Sequence, residues 1–390
     1  MPHGFNRVCC IIAGLIVPAT AAAQDSAGPP DPAPLAPTIT VDAALIVDAL
    51  TTLGTRERAS GIAARGSVGA TLDGARLGLP GLVANATVAA FWGPGISDPL
   101  GDVQGVSSIA APRMVRPVNA WVQWSGPHIA VKAGIIDTNA DFDEQNTGAL
   151  FLNASAGMGA ELAAAGLNGS GQAPFSALGV IGFVSDNHAG VKLRVGVFAG
   201  QNGDPDNPQR LVWRLGGNAG AIVLTEIDRQ KPGWRIALGG WSHTAPLPRV
   251  DGTGTTPGTS GLFVTSEKLL AGRLASNDAP GAFHLDGWVR YGRAFGPAAA
   301  ISSYLGGGLV AYDPAPMLTG DTLGLSLSRA AMAPSPDTPS CAESVIEASW
   351  QHRANAHVLI QPDLQWITHP GADTTRPDAL IIGLRLTILH

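Results

Sequence analysis

The chain has 390 residues, of which 14% are charged and 45% are hydrophobic. Roughly 25% charged residues are usual in soluble domains, so this chain is depleted in charge, and its apolar content excludes intrinsic disorder. Nucleic acid is excluded as a partner because it requires a basic surface, whereas the formal net charge here is −6. The 50 Gly and 30 Pro indicate many turns between short elements.

The first 23 residues have the pattern of a secretory signal peptide. Positive charge precedes the apolar run from Val8 to Val17, and Ala21 and Ala23 form a small-residue cleavage site. We expect cleavage after Ala23, which removes two of the three cysteines and leaves Cys341. A single thiol cannot form an internal disulfide, so the mature chain is not a disulfide-stapled scaffold.

Residues 24–40 follow the signal peptide and are rich in proline. This composition favours extended backbone, and we interpret the segment as a tether that precedes a folded domain at 41–390. The mature chain has no run of 18 or more apolar residues, which excludes transmembrane helices but leaves a membrane barrel open.

From Val41 onward, apolar residues recur at every second position, and helical periodicity is almost absent. Period two is typical of a strand with one apolar and one polar face. The segments that show it most clearly are Val191–Phe198, Phe283–Tyr291, Leu323–Ser328 and Ile382–Ile388.

Clusters of turn-forming residues separate these strands, and we predict loops at 201–208, 244–260 and 331–340. A soluble sandwich and a membrane barrel both alternate in this way. Low charge, long loops and export favour the barrel. About 350 residues, at roughly 22 per strand with its connection, predict about 16 strands around an aqueous lumen. The predicted fold is all-β, a transmembrane antiparallel up-and-down β-barrel.

Several segments carry a family pattern in one order along the chain. They are 101–108 (GDVQGVSS), 134–142 (GIIDTNADF), 151–155 (FLNAS), 196–200 (GVFAG), 320–325 (GDTLGL), 343–350 (ESVIEASW), 361–366 (QPDLQW) and 378–386 (DALIIGLRL). Together they resemble the carbohydrate-selective porin family of Gram-negative bacterial outer membranes. The similarity runs from about Gly101 to the C-terminus.

The resemblance implies a sixteen-stranded outer-membrane barrel through which sugars diffuse down their gradient into the periplasm, without a cofactor. It implies monosaccharides such as glucose, and small oligosaccharides, as solutes, and it places the tether in the periplasm. Outer-membrane lipid and the barrel-assembly machinery are the other expected partners, and the protein is expected to be a monomer or a homotrimer. Barrels of this kind usually end on an aromatic residue that the assembly machinery reads, whereas this chain ends in His390.

A sugar presents hydroxyl groups to hydrogen-bonding side chains and C–H faces to aromatic rings, so polar and aromatic residues on lumenal faces are the candidates. In the strand that contains Val118 and Trp124, alternation places these two residues on one face. It places Asn119, Trp121 and Gln123 on the other, so Trp121 lies among polar neighbours.

The same parity argument selects eight candidate channel residues. We predict that Arg194, Arg290 and Arg385 donate hydrogen bonds, that Asp286, Asp363 and Gln365 accompany them as polar partners, with the two carboxylates accepting, and that Trp121 and Trp288 stack on the sugar. The alternative is that a lumenal aromatic residue packs against an infolded loop. Three other tryptophans fall on apolar faces, where an interfacial aromatic girdle is expected: Trp124, Trp234 and Trp366.

No metal ion is expected. The segment Asp137–Asp143 begins like a calcium loop, but the sixth and twelfth positions lack the Gly and Glu that an EF-hand requires. A looser calcium site at Asp141, Asp143 and Glu144 is the alternative to a solvated acidic turn.

Three functions are consistent with these patterns. The first is a sugar-permeable porin, and the second is a general diffusion porin with little sugar selectivity. The third is a secreted β-rich protein that binds sugars or cleaves glycosides, in which Asp141 and Asp143 would serve as acid and base. Export, period-two strands, low charge and the family-like segments favour the first function. The sequence also lacks nucleophile-elbow, dinucleotide-binding and phosphate-binding motifs, and we predict no enzymatic activity.

Overall fold

The computed structural model describes residues 38–53, 59–204, 206–273, 283–334 and 341–390. The predicted signal peptide and residues 24–37 of the predicted tether lie outside these ranges. The first strand begins at Ile39, two residues before the predicted start of the folded domain.

Sixteen strands of the described residues form one closed barrel in which every neighbouring pair is antiparallel, and the first strand pairs with the last. Two further short strands, β8 and β9, pair with each other outside the barrel. The strands are β1 Ile39–Leu53, β2 Ser60–Asp73, β3 Leu82–Trp92, β4 Met114–Ser125, β5 Ile129–Ile136, β6 Ala177–Asp186, β7 Val191–Ala199, β8 Gln201–Asn202, β9 Trp213–Arg214, β10 Ala221–Lys231, β11 Trp234–Pro248, β12 Thr255–Gly272, β13 His284–Phe295, β14 Ile301–Tyr312, β15 Thr322–Met332, β16 Ala342–Arg353, β17 Val358–Thr368 and β18 Ala379–Leu389.

The helices are single turns within the connections. The α-helical turns are α1 Ser97–Leu100 and α2 Ala160–Ala163, and the 3-10 turns are Gly74–Leu77, Thr138–Ala140, Gly148–Leu150, Ala154–Ala156, Gly217–Ala219, Pro316–Leu318 and Pro370–Ala372. Among the described residues, none of the helices has the length and apolar character needed to cross a bilayer.

The connections differ in length at the two ends of the barrel. One end, which we call the short-turn rim, holds the start of β1, the end of β18 and the tight turns 126–128, 187–190, 232–233 and 354–357. The opposite end, the long-loop rim, holds the long connections 93–113, 137–176 and 200–220. This difference in loop length distinguishes the two openings of the barrel.

The alternation read from the sequence separates an apolar outer surface from a polar lumen. On β7, Leu193 and Val197 are 38% and 46% exposed and point outward, whereas Arg194 is 5% exposed and points inward. Trp124 and Trp366 also point outward, as predicted, and each is 47% exposed. The predicted barrel, its strand number and this arrangement of faces are confirmed.

The sequence misjudged the parity at Val118. The pairing of β3 with β4 shifts register between Thr87 and Val88, so β4 contains a bulge there. As a result Val118 is 1% exposed inside the barrel instead of sharing the outward face of Trp124, while Trp121 keeps its predicted lumenal position. A bulge places two successive residues against one partner, and simple alternation cannot detect that shift.

The predicted loop at 244–260 is also wrong in its extent. β11 continues to Pro248 and β12 begins at Thr255, so strands occupy most of that segment. The Gly and Pro residues of this segment are typical of loops, but β11 and β12 stay paired as far as Pro248 and Thr255, with a register shift between His243 and Pro246. The predicted loop 201–208 contains the short strand β8. Most of the predicted loop 331–340 lies outside the described residues.

Candidate channel constriction

The connection 137–176 between β5 and β6, which we call the inner loop, folds from the long-loop rim into the lumen. Phe142, Leu152 and Leu162 on this loop are at most 1% exposed, so its apolar side chains are enclosed by the barrel. Phe142 packs edge to face against Phe198 of β7, with ring centroids 6.1 Å apart. The inner loop therefore narrows the lumen.

Arg290 of β13 holds the middle of the inner loop through two carboxylates. Its guanidinium donates to Asp143 from Nε and Nη2 at 2.9 and 2.8 Å, and to Glu161 from Nη1 and Nη2 at 2.6 and 2.7 Å. All three side chains are fully or almost fully buried. Burial raises the pKa of Glu161, and the charge of Arg290 opposes that rise. Both carboxylates face this single guanidinium, which satisfies their charge only in part.

A second ionic cluster lies beside it on β7, β10 and β11. Arg235 donates to Glu226 at 2.8 Å, and Arg194 pairs with Asp228. Arg235 also donates to the backbone oxygen of Glu144 on the inner loop at 2.7 Å. These four charged side chains therefore pair with one another, and Arg235 also holds the loop backbone.

The inner loop is also held at β16, which lies across the barrel from β5 and β6. Glu347 of β16 accepts hydrogen bonds from the backbone N–H groups of Leu152 and Asn153 at 2.5 and 3.3 Å. Next to it, Asp363 of β17 accepts from Ser349 at 2.7 Å. The loop leaves β5 and returns to β6, so its contact with β16 shows that it crosses the lumen.

A second connection, 93–113, which we call the upper loop, is fixed to β16, β17, β18 and β1. Arg385 makes a two-point contact with Asp48, with both N–O distances at 2.7 Å, and Asp48 also accepts from the hydroxyl of Ser107 at 2.6 Å. Gln365 donates to the backbone oxygen of Val106 at 3.0 Å.

The remaining predicted residues are placed as follows. Trp288 is 4% exposed and packs against Phe151 of the inner loop, with centroids 6.5 Å apart. Trp121 is 9% exposed, and the Nζ atom of Lys132 lies 4.4 Å from the centroid of its ring. Asp286 is half-buried on the lumenal face of β13.

All eight predicted residues point into the lumen, but the structure does not gather them into one site. Seven of them are buried, and Arg290 and Gln365 have no exposed surface. In this structure Arg194, Arg290, Gln365 and Arg385 contact loop atoms. Direct contact of the eight residues with a solute stays a prediction.

Five lumenal residues that are not among the eight predicted channel residues lie on the first strands of the barrel; of these, only Gln123 was placed on a lumenal face by the sequence. Ser67, Thr71, Asn85, Thr87 and Gln123 are uncharged, half-buried and on the inward face of β2–β4, which we call the β2–β4 polar face. Asn85 donates to Thr71 at 2.9 Å and accepts from Thr87 at 3.2 Å. In the described ranges, none of the five hydrogen-bonds to the inner or upper loop. A period-two series of hydroxyl and amide residues is the signal that would have found them.

The structure argues against the alternative roles of the acidic loop residues. Asp141 forms an ion pair with Lys132 at 2.8 Å, and Asp143 is enclosed by Arg290. Neither carboxylate is free to act as a glycosidase acid or base. Within the described ranges, groups of His, Cys, Asp and Glu suited to a metal ion are absent.

A closed sixteen-stranded barrel with an apolar outer surface, a polar lumen and an infolded loop defines an outer-membrane porin. The model of the family described as carbohydrate-selective porin, OprB family, matches residues 58–389 of this chain. The chain therefore belongs to that family. The protein is thus a sugar porin of the outer membrane, and its fold and family indicate a channel rather than an enzyme.

Solved structures show the same fold at low sequence identity. The high-pH structure of Pseudomonas putida OprB is 16% identical, with 90% of this chain and 94% of that chain covered and a TM-score of 0.77. Salmonella typhi OmpF in complex with daunomycin is 11% identical over 90% and 97% of the chains, with a TM-score of 0.59. The anion-selective porin from Comamonas acidovorans is 12% identical over 90% and 99%, with a TM-score of 0.57. A comparison with curated proteins gave no match.

Proposed function

We propose that small neutral sugars, with glucose as the first candidate, diffuse passively between the inner loop and the β2–β4 polar face. The observation that carries this proposal is the contrast between the two sides of the lumen. The lumenal arginines Arg194, Arg235, Arg290 and Arg385 pair with carboxylates and contact loop atoms. The five residues of the β2–β4 polar face are uncharged and make no loop hydrogen bonds in the described ranges.

This contrast suits an uncharged, hydroxyl-rich solute. Hydroxyl and amide groups can replace the hydration of a sugar, and several modest contacts along a pore allow the solute both to enter and to leave. The guanidinium and carboxylate groups of the paired clusters make their hydrogen bonds to each other and to loop atoms, which leaves the neutral β2–β4 polar face as the surface proposed to contact the sugar.

The eight predicted residues then divide into two proposed roles. Trp121 pairs in register with Asn85, so it lies at the margin of the β2–β4 polar face and is placed to stack on a sugar. Asp286 is half-buried and is proposed to accept hydrogen bonds nearer the short-turn rim. The other six are proposed to act by fixing the loops: Arg194, Trp288, Arg290, Asp363, Gln365 and Arg385.

Glucose block of ion current in planar bilayers tests the proposal. In the N85A/Q123A variant, glucose should block the current roughly thirtyfold more weakly, because two hydrogen bonds of about 1 kcal/mol each are lost. The potassium chloride conductance should change little. The matched control is V88A/V122A, which alters outward residues of the same two strands, 49% exposed each.

A general diffusion porin is the competing function on this scaffold. It would show no glucose block in the unmodified protein and equal permeation of sugars and small anions of similar size in liposome swelling. Unchanged glucose block in N85A/Q123A would instead exclude the β2–β4 polar face as the sugar contact. The choice between monomer and homotrimer, the cleaved signal peptide and recognition by the assembly machinery stay predictions.

A further inference from the structure

A cluster of basic side chains lies on the outer surface at the short-turn rim. Arg229 and Lys231 are on β10 and Lys268 is on β12, and all three are exposed. Trp234 of β11 pairs in register with both Lys231 and Lys268. The Arg229 guanidinium lies 5.9 Å from the ring centroid of Trp234. Three cations therefore surround one tryptophan.

Strand alternation separates these cations from the neighbouring acids. Asp228 and Glu267 precede Arg229 and Lys268 in sequence, point into the lumen and lie within 4 Å of lumenal arginines. In the described part of the chain, the three outward cations have no carboxylate partner. An outward acid of the same rim, Asp186, accepts hydrogen bonds from the backbone of its own turn.

The surface directly next to the cluster is apolar. Ile236, Leu238, Leu262 and Val264 point outward on β11 and β12 and are 38% to 56% exposed. A ligand that fits both parts has an anionic head at the level of Trp234 and a hydrocarbon tail along these residues. Tryptophan is typical of the level at which lipid headgroups meet the acyl region.

We propose that this cluster binds the phosphate headgroup of an anionic phospholipid in the inner leaflet of the outer membrane. The short turns of outer-membrane barrels face the periplasm, which places the cluster in that leaflet. Basic residues near a membrane surface attract anionic lipid, and guanidinium and ammonium groups bind phosphate oxygens directly. The inference does not depend on which solute crosses the channel.

Native mass spectrometry of the delipidated full-length porin in detergent tests the proposal. Phosphatidylglycerol and phosphatidylcholine of equal chain length are the lipid probes, and inorganic phosphate is the probe for a simple anion site. The unmodified protein should retain phosphatidylglycerol in preference to phosphatidylcholine, and inorganic phosphate should not displace it.

The R229Q/K231Q/K268Q variant should bind phosphatidylglycerol more weakly by on the order of a hundredfold, because it removes three interfacial cations that each strengthen binding roughly fivefold. The matched control R113Q/R293Q/R329Q removes the same charge from scattered outward positions near the long-loop rim. It should retain the lipid preference. Heat-modifiable gel mobility shows whether each variant is folded. If the triple variant does not fold, the milder K231Q/K268Q variant replaces it in the same measurement.

Three results would overturn the proposal. They are equal retention of the two lipids by the unmodified protein, equal loss in the triple variant and its control, and displacement of the lipid by inorganic phosphate. The last result would identify a simple anion site instead of a lipid site.

Discussion

Arg290 on the barrel holds Asp143 of the inner loop by a two-point contact, with Nε–Oδ1 at 2.9 Å and Nη2–Oδ2 at 2.8 Å. The same guanidinium holds Glu161 of α2, later in the same loop. Since a single side chain fixes two separate points of the loop, the width of the channel depends on a residue that is itself fully buried.

The R290A variant should have a higher single-channel conductance and weaker glucose block. Removing the arginine leaves two buried carboxylates without a counterion, a situation that costs about 3 to 5 kcal/mol in buried ion pairs, and the loop can avoid this cost by leaving the lumen. Single-channel recording measures the change. The control is R293Q, an outward residue on the same strand, and equal conductance in R290A and the unmodified protein would contradict this role.

The W121A variant should weaken glucose block by roughly twofold to tenfold, the range expected for loss of one aromatic stacking contact. Bilayer recordings with increasing glucose measure it. W124A is the matched control because Trp124 lies on the same strand and points outward. If glucose blocks the current through both variants as strongly as through the unmodified protein, Trp121 does not contact the sugar and only packs within the barrel.

The E347A variant should raise current noise without abolishing the channel. Glu347 accepts the backbone N–H groups of Leu152 and Asn153, and its loss leaves two buried donors unsatisfied, at about 1 to 3 kcal/mol each. The part of the inner loop around Leu152 and Asn153 should then move toward and away from the barrel wall. Power spectra of the open-channel current report this motion. A spectrum identical to that of the unmodified protein would show that the other contacts suffice.

Cation preference of the channel should fall as the pH is lowered, beginning above the pH at which an ordinary glutamate titrates. Burial raises the pKa of Glu144 from its usual 4.5, and the nearby Glu267 and Glu226 add to the rise, while Arg235 and Arg194 oppose it. A carboxyl with a raised pKa gains its proton early on acidification, so the lumen loses negative charge in that window.

Reversal potentials in a salt gradient between pH 7 and pH 4 measure this effect. The E144Q variant should remove the part of the pH dependence that lies above the usual glutamate range. D251N is the control, because Arg249 lowers the pKa of Asp251, which therefore keeps its charge in that window. An unchanged profile in E144Q would assign the pH dependence to another group.

Sequence analysis predicted the barrel, its strand number and most of its faces because strand alternation depends only on which side meets lipid and which meets water. It failed at Val118, where a bulge changes parity without any change in composition. It could not show that a loop covers Arg290 and Gln365, because the alternation pattern of a strand is the same whether its lumenal side chains contact a loop or water. The neutral residues Asn85 and Gln123 were not among the predicted channel residues for a related reason, since alternation cannot distinguish a polar side chain that a solute reaches from one that a loop covers.

The join between β1 and β18 links residues from opposite ends of the chain, with Ala44 opposite Leu389 and the His390 N–H bonded to the Ala43 carbonyl at 2.9 Å. Contacts this distant in sequence form late, because the intervening chain must be ordered first. Until the last strand arrives, two unpaired strand edges stay open to pairing with other chains. A nonsense mutation that removes only the final dozen codons would therefore leave an aggregation-prone chain rather than a slightly smaller pore.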